Sequence, residues 1–223
     1  MSTYRELINQ VLIRLREDTI PTNWSGAIND SSTITDYQKV IGALVNDSKR
    51  DIESYHDWLV LRETVDVTTV SGTRNYNLSA GQDIKVLDVI NQDQGTHLNQ
   101  ISQKHLNSLK YPTGNSGDPL FYSFNGVDSS NNLKVDLEPI PNNAHTISFD
   151  INKPQSELTL AATVMKAPTQ PVILGAWARA IAERGEDGGT NTSVAAAEVS
   201  NALNQAIALD SGNTRYEMDW IVN

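Results

Sequence analysis

The sequence predicts an α+β protein: a four-helix bundle formed by N- and C-terminal helix pairs, with an inserted small antiparallel β-sandwich or barrel. Apolar residues recur with helical spacing at both ends of the chain, whereas the middle alternates with a period of two. An apolar segment then follows the last helical pattern. The predicted divisions are 1–58 (N-terminal helix pair), 59–165 (inserted β domain), 166–209 (C-terminal helix pair) and 210–223 (extended C-terminal hook).

The first predicted helix begins after Thr3, which has capping-box spacing to Glu6. In such a box each side chain accepts a hydrogen bond from the other residue's backbone amide. Pro21, Gly26 and a cluster of Ser, Asn and Asp then predict a loop over 19–33. The apolar residues of the helix share one face: Tyr4, Leu7, Ile8, Val11, Leu12 and Leu15.

The second predicted helix begins after Thr35, again with capping-box spacing, here to Gln38. The two stripes are wider than one partner helix can cover, so both helices require further helices, which the sequence supplies only near its other end. The second stripe consists of Tyr37, Val40, Ile41, Leu44, Val45, Ser48, Ile52 and Tyr55.

The middle of the chain predicts five or six strands, because apolar and polar residues alternate there and turn residues separate the runs. Ser71-Gly72 is the clearest turn, and residues 103–111 predict a short helix. The predicted strands cover 64–69, 73–78, 84–90, 121–124, 133–137 and 146–151.

The third predicted helix begins near Pro171, a residue favoured in the first helical turn, and ends at the glycine-rich segment 185–189. The fourth covers about 193–209 and is rich in alanine, which permits close helix–helix approach. Beyond it, Tyr216, Met218 and Trp220 alternate with acidic residues. An extended tail of this kind either folds back onto its own bundle or adds to a partner.

Composition excludes several classes of function. The chain has no cysteine, so it has no disulfides, zinc–thiolate sites or thiol nucleophiles. Its net charge of −10 is spread along the chain, and no basic stripe of the kind that binds a nucleic-acid backbone is present. We see no signal peptide and no apolar run of bilayer length, and we expect no membrane partner.

No group of residues has the spacing of an active site or a metal site. The four histidines (His56, His97, His105 and His145) share no ligand spacing. Segment 185–189 lacks the Gly-Lys-Ser/Thr of a phosphate-binding loop. Asp136 and Glu138 point to the same strand face, where a hydrolase is one interpretation and a solvated face is the favoured one. We therefore expect no enzyme, no metal and no cofactor.

Trp58 marks the change from the second helix to the first strand, and we expect it to seal the boundary between the helical and β parts. Together with Trp58, several local stretches resemble the head-to-tail adaptors of short-tailed bacteriophages, the tail tubular protein A group. These stretches are residues 3–15, 51–58, 59–70, 75–78 and 85–89.

The resemblance implies a dodecameric ring of this chain between the portal protein and the tail nozzle protein, in the virion tail at the portal vertex. Such a protein is made in the host cytoplasm and lines part of a channel through which double-stranded DNA passes without specific binding. An acidic lining repels that DNA. The resemblance assigns the portal contact to Tyr216, Met218, Trp220, Ile221 and Val222.

One alternative is a virion or surface module that binds carbohydrate through aromatic residues of the β insert. The residues concerned are Tyr111, Phe121, Tyr122 and Phe124.

Overall fold

A computed structural model describes residues 2–29, 33–110, 115–185 and 190–213. The predicted α+β class is confirmed. Within the described residues the chain forms five helices and three separate sheets, rather than one sheet closed on itself. Two compact units are present: a helical unit made of Met1–Leu61 and Pro154–Asn223, and a β unit made of Arg62–Lys153.

Four of the helices belong to the helical unit, and α3 belongs to the β unit. A short 3₁₀ turn over Leu59–Leu61 follows α2. The helices are α1 (Tyr4–Arg14), α2 (Asp36–Tyr55), α3 (Gln103–Lys110), α4 (Thr169–Arg184) and α5 (Thr190–Asn213).

Both predicted capping boxes are confirmed. The Thr3 amide donates to Glu6 Oε2 at 2.9 Å, and the Glu6 amide donates to Thr3 Oγ1 at 3.4 Å. Thr35 and Gln38 make the same pair of bonds at 2.9 and 3.3 Å. The glycine stop is also confirmed, because α4 ends at Gly185 in the left-handed region with φ of 64°.

The core of the helical unit is formed by the predicted stripes of α1, α2 and α4. These three helices contact one another, and α5 packs chiefly against α4. Two members of the predicted α2 stripe are wrong, because Val40 is 36% exposed and Tyr55 is 67% exposed. Each lies at the margin of a stripe that is wider than its partners. The largest fully buried side chains are Trp58, Tyr4, Leu7, Ile8, Leu12, Ile20 and Ile41.

Amide side chains fasten the long connections of the helical unit to its helices. Asn9 accepts from the Ile20 amide at 2.8 Å and donates to the Ile20 carbonyl at 3.2 Å. Asn46 holds Leu158 in the same two-point manner, at 2.9 and 3.0 Å. A side-chain amide thus replaces a backbone partner and satisfies connection groups that would otherwise be unpaired. We call residues 154–168 the strap, since they return the chain to α4.

Glycines allow α2 to pack closely against its neighbours. A Cβ at Gly175 of α4 would overlap Ser48 Oγ on α2, which donates to the Val172 carbonyl at 2.9 Å. A Cβ at Gly42 would overlap the end of Ile28 and lie 2.6 Å from the Tyr4 hydroxyl oxygen. The absence of a side chain at these two positions therefore sets the spacing of the helices.

One ion pair is buried inside the helical unit. Lys49 Nζ lies 2.8 Å from Glu53 Oε2, one turn apart on α2, and it also donates to the Gln155 carbonyl of the strap. Both side chains are almost inaccessible. Burial raises the pKa of Glu53, against the opposing effect of the Lys49 hydrogen bond and charge.

The β unit contains two four-stranded sheets and one small sheet. The first sheet has the order β1-β10-β3-β4 and the second β2-β8-β7-β5, while β6 pairs with β9. Apolar residues of the two larger sheets form one hydrophobic cluster, which includes Phe149 of the first and Leu137 of the second. The strands are β1 (Arg62–Thr68), β2 (Asn75–Asn77), β3 (Lys85–Asn91), β4 (Thr96–His97), β5 (Asn99–Gln100), β6 (Ser116–Gly117), β7 (Phe121–Val127), β8 (Leu133–Glu138), β9 (Ile140–Pro141) and β10 (Thr146–Asn152).

We expect Gly175→Ala to lower the free energy of unfolding by about 1–3 kcal/mol, because the added methyl group overpacks the contact with Ser48. The matched control is Gly212→Ala, where no atom lies within 4 Å of the added carbon. There the loss of glycine's backbone freedom should be neutral or stabilise by up to about 1 kcal/mol. Chemical denaturation of both variants measures this, and equal effects would contradict the close-packing argument.

The buried Glu53 also predicts a pH dependence. A raised carboxyl pKa contributes stability that is fully present below the ordinary value of 4.5 and is lost as pH rises through the folded-state pKa. The variant Glu53→Gln stays neutral throughout. We therefore expect the unfolding free energy of the wild type minus that of Glu53→Gln to fall as the pH rises above 4.5, measured by denaturation at each pH. A difference that rises with pH would show the opposite shift.

Candidate assembly surface

The end of α2 meets the end of α5 through a polar contact. Asp210 Oδ2 lies 3.1 Å from His56 Nε2 and accepts from the Leu59 amide at 3.3 Å. His56 in turn packs edge-on against the Trp58 ring, with centroids 4.9 Å apart. We call these four residues the α2–α5 junction. Because the Leu59 amide and the His56 imidazole share one carboxylate, the junction holds the last turns of α5 against the end of α2.

Exposed apolar side chains lie next to the junction residues in the chain. Tyr55, which precedes His56, is 67% exposed, and Leu209, which precedes Asp210, is 75% exposed. Val60 follows Leu59 and is 38% exposed. Contiguous exposed apolar patches are typical of surfaces that become buried on association, so these three residues are candidates for such a surface. The predicted start of the hook at residue 210 is wrong, because residues 210–213 continue α5, which ends at Asn213. The junction therefore lies just before the segment that follows α5, residues 214–223, which we call the tail.

Trp58 lies inside the core of the helical unit. It is 1% exposed, and its indole Nε1 donates to the Ile52 carbonyl at 2.7 Å. These contacts explain its burial without reference to the β unit, so its role at a boundary stays a prediction. The five predicted portal-contact residues, Tyr216, Met218, Trp220, Ile221 and Val222, lie outside the described residues.

The predicted solvated face at Asp136 and Glu138 is wrong, because the two residues are 3% and 2% exposed. The helix α3 packs against β7 and β8 and covers this face. Its Gln103 donates to Asp136 Oδ2 at 2.9 Å, and Asn125 donates to the same oxygen at 3.2 Å. Asn75 donates to Oδ1.

Glu138 has a different partner from Asp136. It forms a buried ion pair with Arg74, the residue that precedes β2. The two carboxylates therefore fasten α3 and the β2 segment to β8, each through its own donors. This arrangement organises the β unit and leaves neither carboxylate facing an open cleft.

Comparison with known families decides the class of protein. The model of the SU10 adaptor protein family matches residues 2–219, nearly the whole chain. The chain belongs to this family. The predicted resemblance to a phage head-to-tail adaptor is thereby confirmed, and the family is one of structural phage proteins rather than enzymes. No curated protein matches the chain. In the ranges that the structure describes, no helix combines the length and hydropathy needed to cross a membrane.

Of the four aromatic residues in the carbohydrate-binding alternative, the structure places Tyr122 in the core of the adaptor's β unit. Tyr122 is buried, with its ring edge-on to Phe124 at 5.7 Å and to Phe149 at 6.1 Å. Burial raises the pKa of the Tyr122 hydroxyl. Phe121 is half-buried, and Tyr111 lies outside the described residues. Because its ring fills the core, Tyr122 is unavailable for stacking on a sugar, whereas half-buried Phe121 and Phe124 leave the alternative untested.

Three of the adaptor's four histidines, His56 of the junction, His97 and His145, lie close to separate carboxylates. His97 lies 2.9 Å from Asp88, and His145 lies 3.1 Å from Asp118. Among the described residues no group of three or more potential ligands converges on a metal position.

Sequence reasoning missed the junction because His56 and Asp210 are 154 positions apart. The only local signal is that each residue lies near the end of a helical pattern. Which two helix ends meet is decided by packing across the whole unit.

We expect Asp136→Ala to lower the free energy of unfolding by about 2–4 kcal/mol, because three amide donors lose a buried acceptor. The control Asp83→Ala, at an exposed position, should stay within about 0.5 kcal/mol of the wild type. Chemical denaturation monitored by far-UV circular dichroism measures the unfolding free energy of both variants. Equal stability of the two variants would show that the network around Asp136 does not support the β unit.

Proposed function

We propose that this adaptor forms a dodecameric ring between the portal and the tail nozzle, and that copies of it line part of the DNA channel in the virion. The match to an adaptor family over residues 2–219 carries this proposal. In it, the N- and C-terminal helix pairs form a four-helix bundle, and the β unit inserted between them, Arg62–Lys153, folds as a β-sandwich. The protein is made in the host cytoplasm and joins no membrane.

The portal contact belongs to the tail. Its sequence alternates Tyr216, Met218 and Trp220 with Glu217 and Asp219, so an extended tail presents one apolar edge. Tyrosine and tryptophan are also frequent among the residues that dominate interface energies. The junction supports this role, because Asp210 holds the last turns of α5 against His56 and the Leu59 amide. A tail that starts from a fixed point loses less entropy on binding.

The charge of the chain suits a channel protein. At a net −10, the subunit repels a DNA backbone and gains no counterion release from it. Passage of DNA therefore proceeds without adhesion, and no base is read. Trp58 anchors the core at the point where the chain leaves the helical unit.

We expect mixing the adaptor with the portal ring of the same genome to add the mass of a full adaptor ring, as measured by mass photometry. Truncation after Asn213 removes the tail but keeps Asp210 and the junction, and it should abolish the added mass. Replacing Tyr216, Met218 and Trp220 by serine should do the same. The matched control Glu217→Gln with Asp219→Asn alters only the polar edge of the tail and should keep most of the binding.

If the full-length chain adds no mass to the portal ring, the proposed portal contact is contradicted. Full binding by the truncated chain would instead move the portal contact to another surface. Circular dichroism of each variant excludes loss of folding as the cause.

A further inference from the structure

The helix α5 exposes a long face that carries almost no charge. Its inward side follows buried Ala195 and Leu203 and half-buried Val199 and Ile207 at helical spacing. The remaining positions over 193–212 are mostly exposed. In the whole helix Glu198 and Asp210 are the only charged residues, and Asp210 belongs to the junction. The exposed residues include Val194, Ala196, Ala197, Asn201, Asn204, Gln205, Ala208 and Leu209.

Other exposed helical surface of this protein is charged. The outer face of α2 presents Asp36, Asp47, Arg50 and Asp51. Lys39, Arg50 and Arg179 pair with three of these carboxylates, but the net charge of −10 still makes two copies repel each other overall. Contact between copies is therefore least costly where the carboxylates are absent, and interface cores are in general depleted of charged residues.

We propose that the outer face of α5 is the surface on which a second copy of this chain packs. The partner is a second copy because like-charged subunits need an uncharged surface on which to meet, and α5 provides one. A basic partner would instead bind the acidic surfaces of the subunit. In a ring the contact is heterologous, so this face meets a different surface of the next copy. The inference names the lateral contact of the proposed ring, and in that respect it rests on the proposed function.

The size of the face predicts a weak contact. A helix of 24 residues is about 36 Å long and about 10 Å wide, which gives roughly 700 Å² buried over both copies. Stable interfaces bury about 1,200–2,000 Å². The lateral contact alone therefore leaves the free protein mostly monomeric, and it closes a ring only where a template holds many copies together.

The first test needs no portal. Sedimentation equilibrium up to millimolar concentration should show weak self-association of the wild type, and Ala197→Glu should weaken it roughly tenfold, or about 1.4 kcal/mol. The matched control Ala43→Glu adds the same charge at an exposed position of α2 and should leave the association within about twofold. Added salt should strengthen the association, because it screens repulsion between copies and no ion pair is lost.

Equal association of Ala197→Glu and the wild type, or a wild type that stays monomeric at millimolar concentration, would overturn the inference. Both outcomes leave the portal assignment standing, since that is measured separately by added mass. Because the chain has no cysteine, single cysteines give a second readout on the portal-bound protein. Maleimide should label Ala197→Cys more slowly in the ring than in the free chain, and Ala43→Cys equally in both. Equal labelling of Ala197→Cys would also contradict the proposal.

Discussion

The close crossing of α2 and α4 is the contact on which the helical unit depends. It requires glycine at position 175 and the hydrogen bond from Ser48 to the Val172 carbonyl. The two helices come from opposite sides of residues 62–153, so the core closes only when the chain returns. The strap is bound to α2 on its way back to α4, because Asn46 holds Leu158 and Lys49 donates to the Gln155 carbonyl. An insertion of this length is tolerable because each doubling of a closed loop costs only about 0.6 kcal/mol.

Buried polar groups decide how the connections lie in both units. In the helical unit, the Lys49–Glu53 pair sits under the strap. In the β unit, Asp136 collects amide donors from α3, β7 and β2. Such groups add little net stability when they are satisfied, but they penalise every arrangement in which they are not. Their effect is therefore to select one position of the strap and one position of α3.

The local features of this fold could be predicted from the sequence. The features that depend on which element packs over which surface could not. The caps at Thr3 and Thr35 and the stop at Gly185 involve residues a few positions apart, and all three are confirmed. The six predicted strands correspond to β1, β2, β3, β7, β8 and β10. The burial of Asp136 could not be predicted, because it depends on the packing of α3 against β8. The alternation of residues within β8 carries no information about that packing.

The same reasoning applies to the candidate assembly surface. The apolar alternation of the tail is a local pattern and is visible in the sequence. The junction at its root joins residues 154 positions apart and is visible only in the fold. The low charge of α5 can be read from the sequence, but only the burial pattern shows that it faces outward.

In the proposed assembly, the two surfaces of the adaptor have different tasks because they differ in strength. A lateral face of roughly 700 Å² is too small to hold copies together in free solution. If each tail is anchored on a template, neighbouring copies meet at an effective concentration that reaches the millimolar range, where weak contacts form. The order of events follows: tails bind first, and α5 contacts close the ring afterwards. A stronger lateral contact would let rings close in free solution, away from the portal, and such rings would not connect the portal to the tail nozzle.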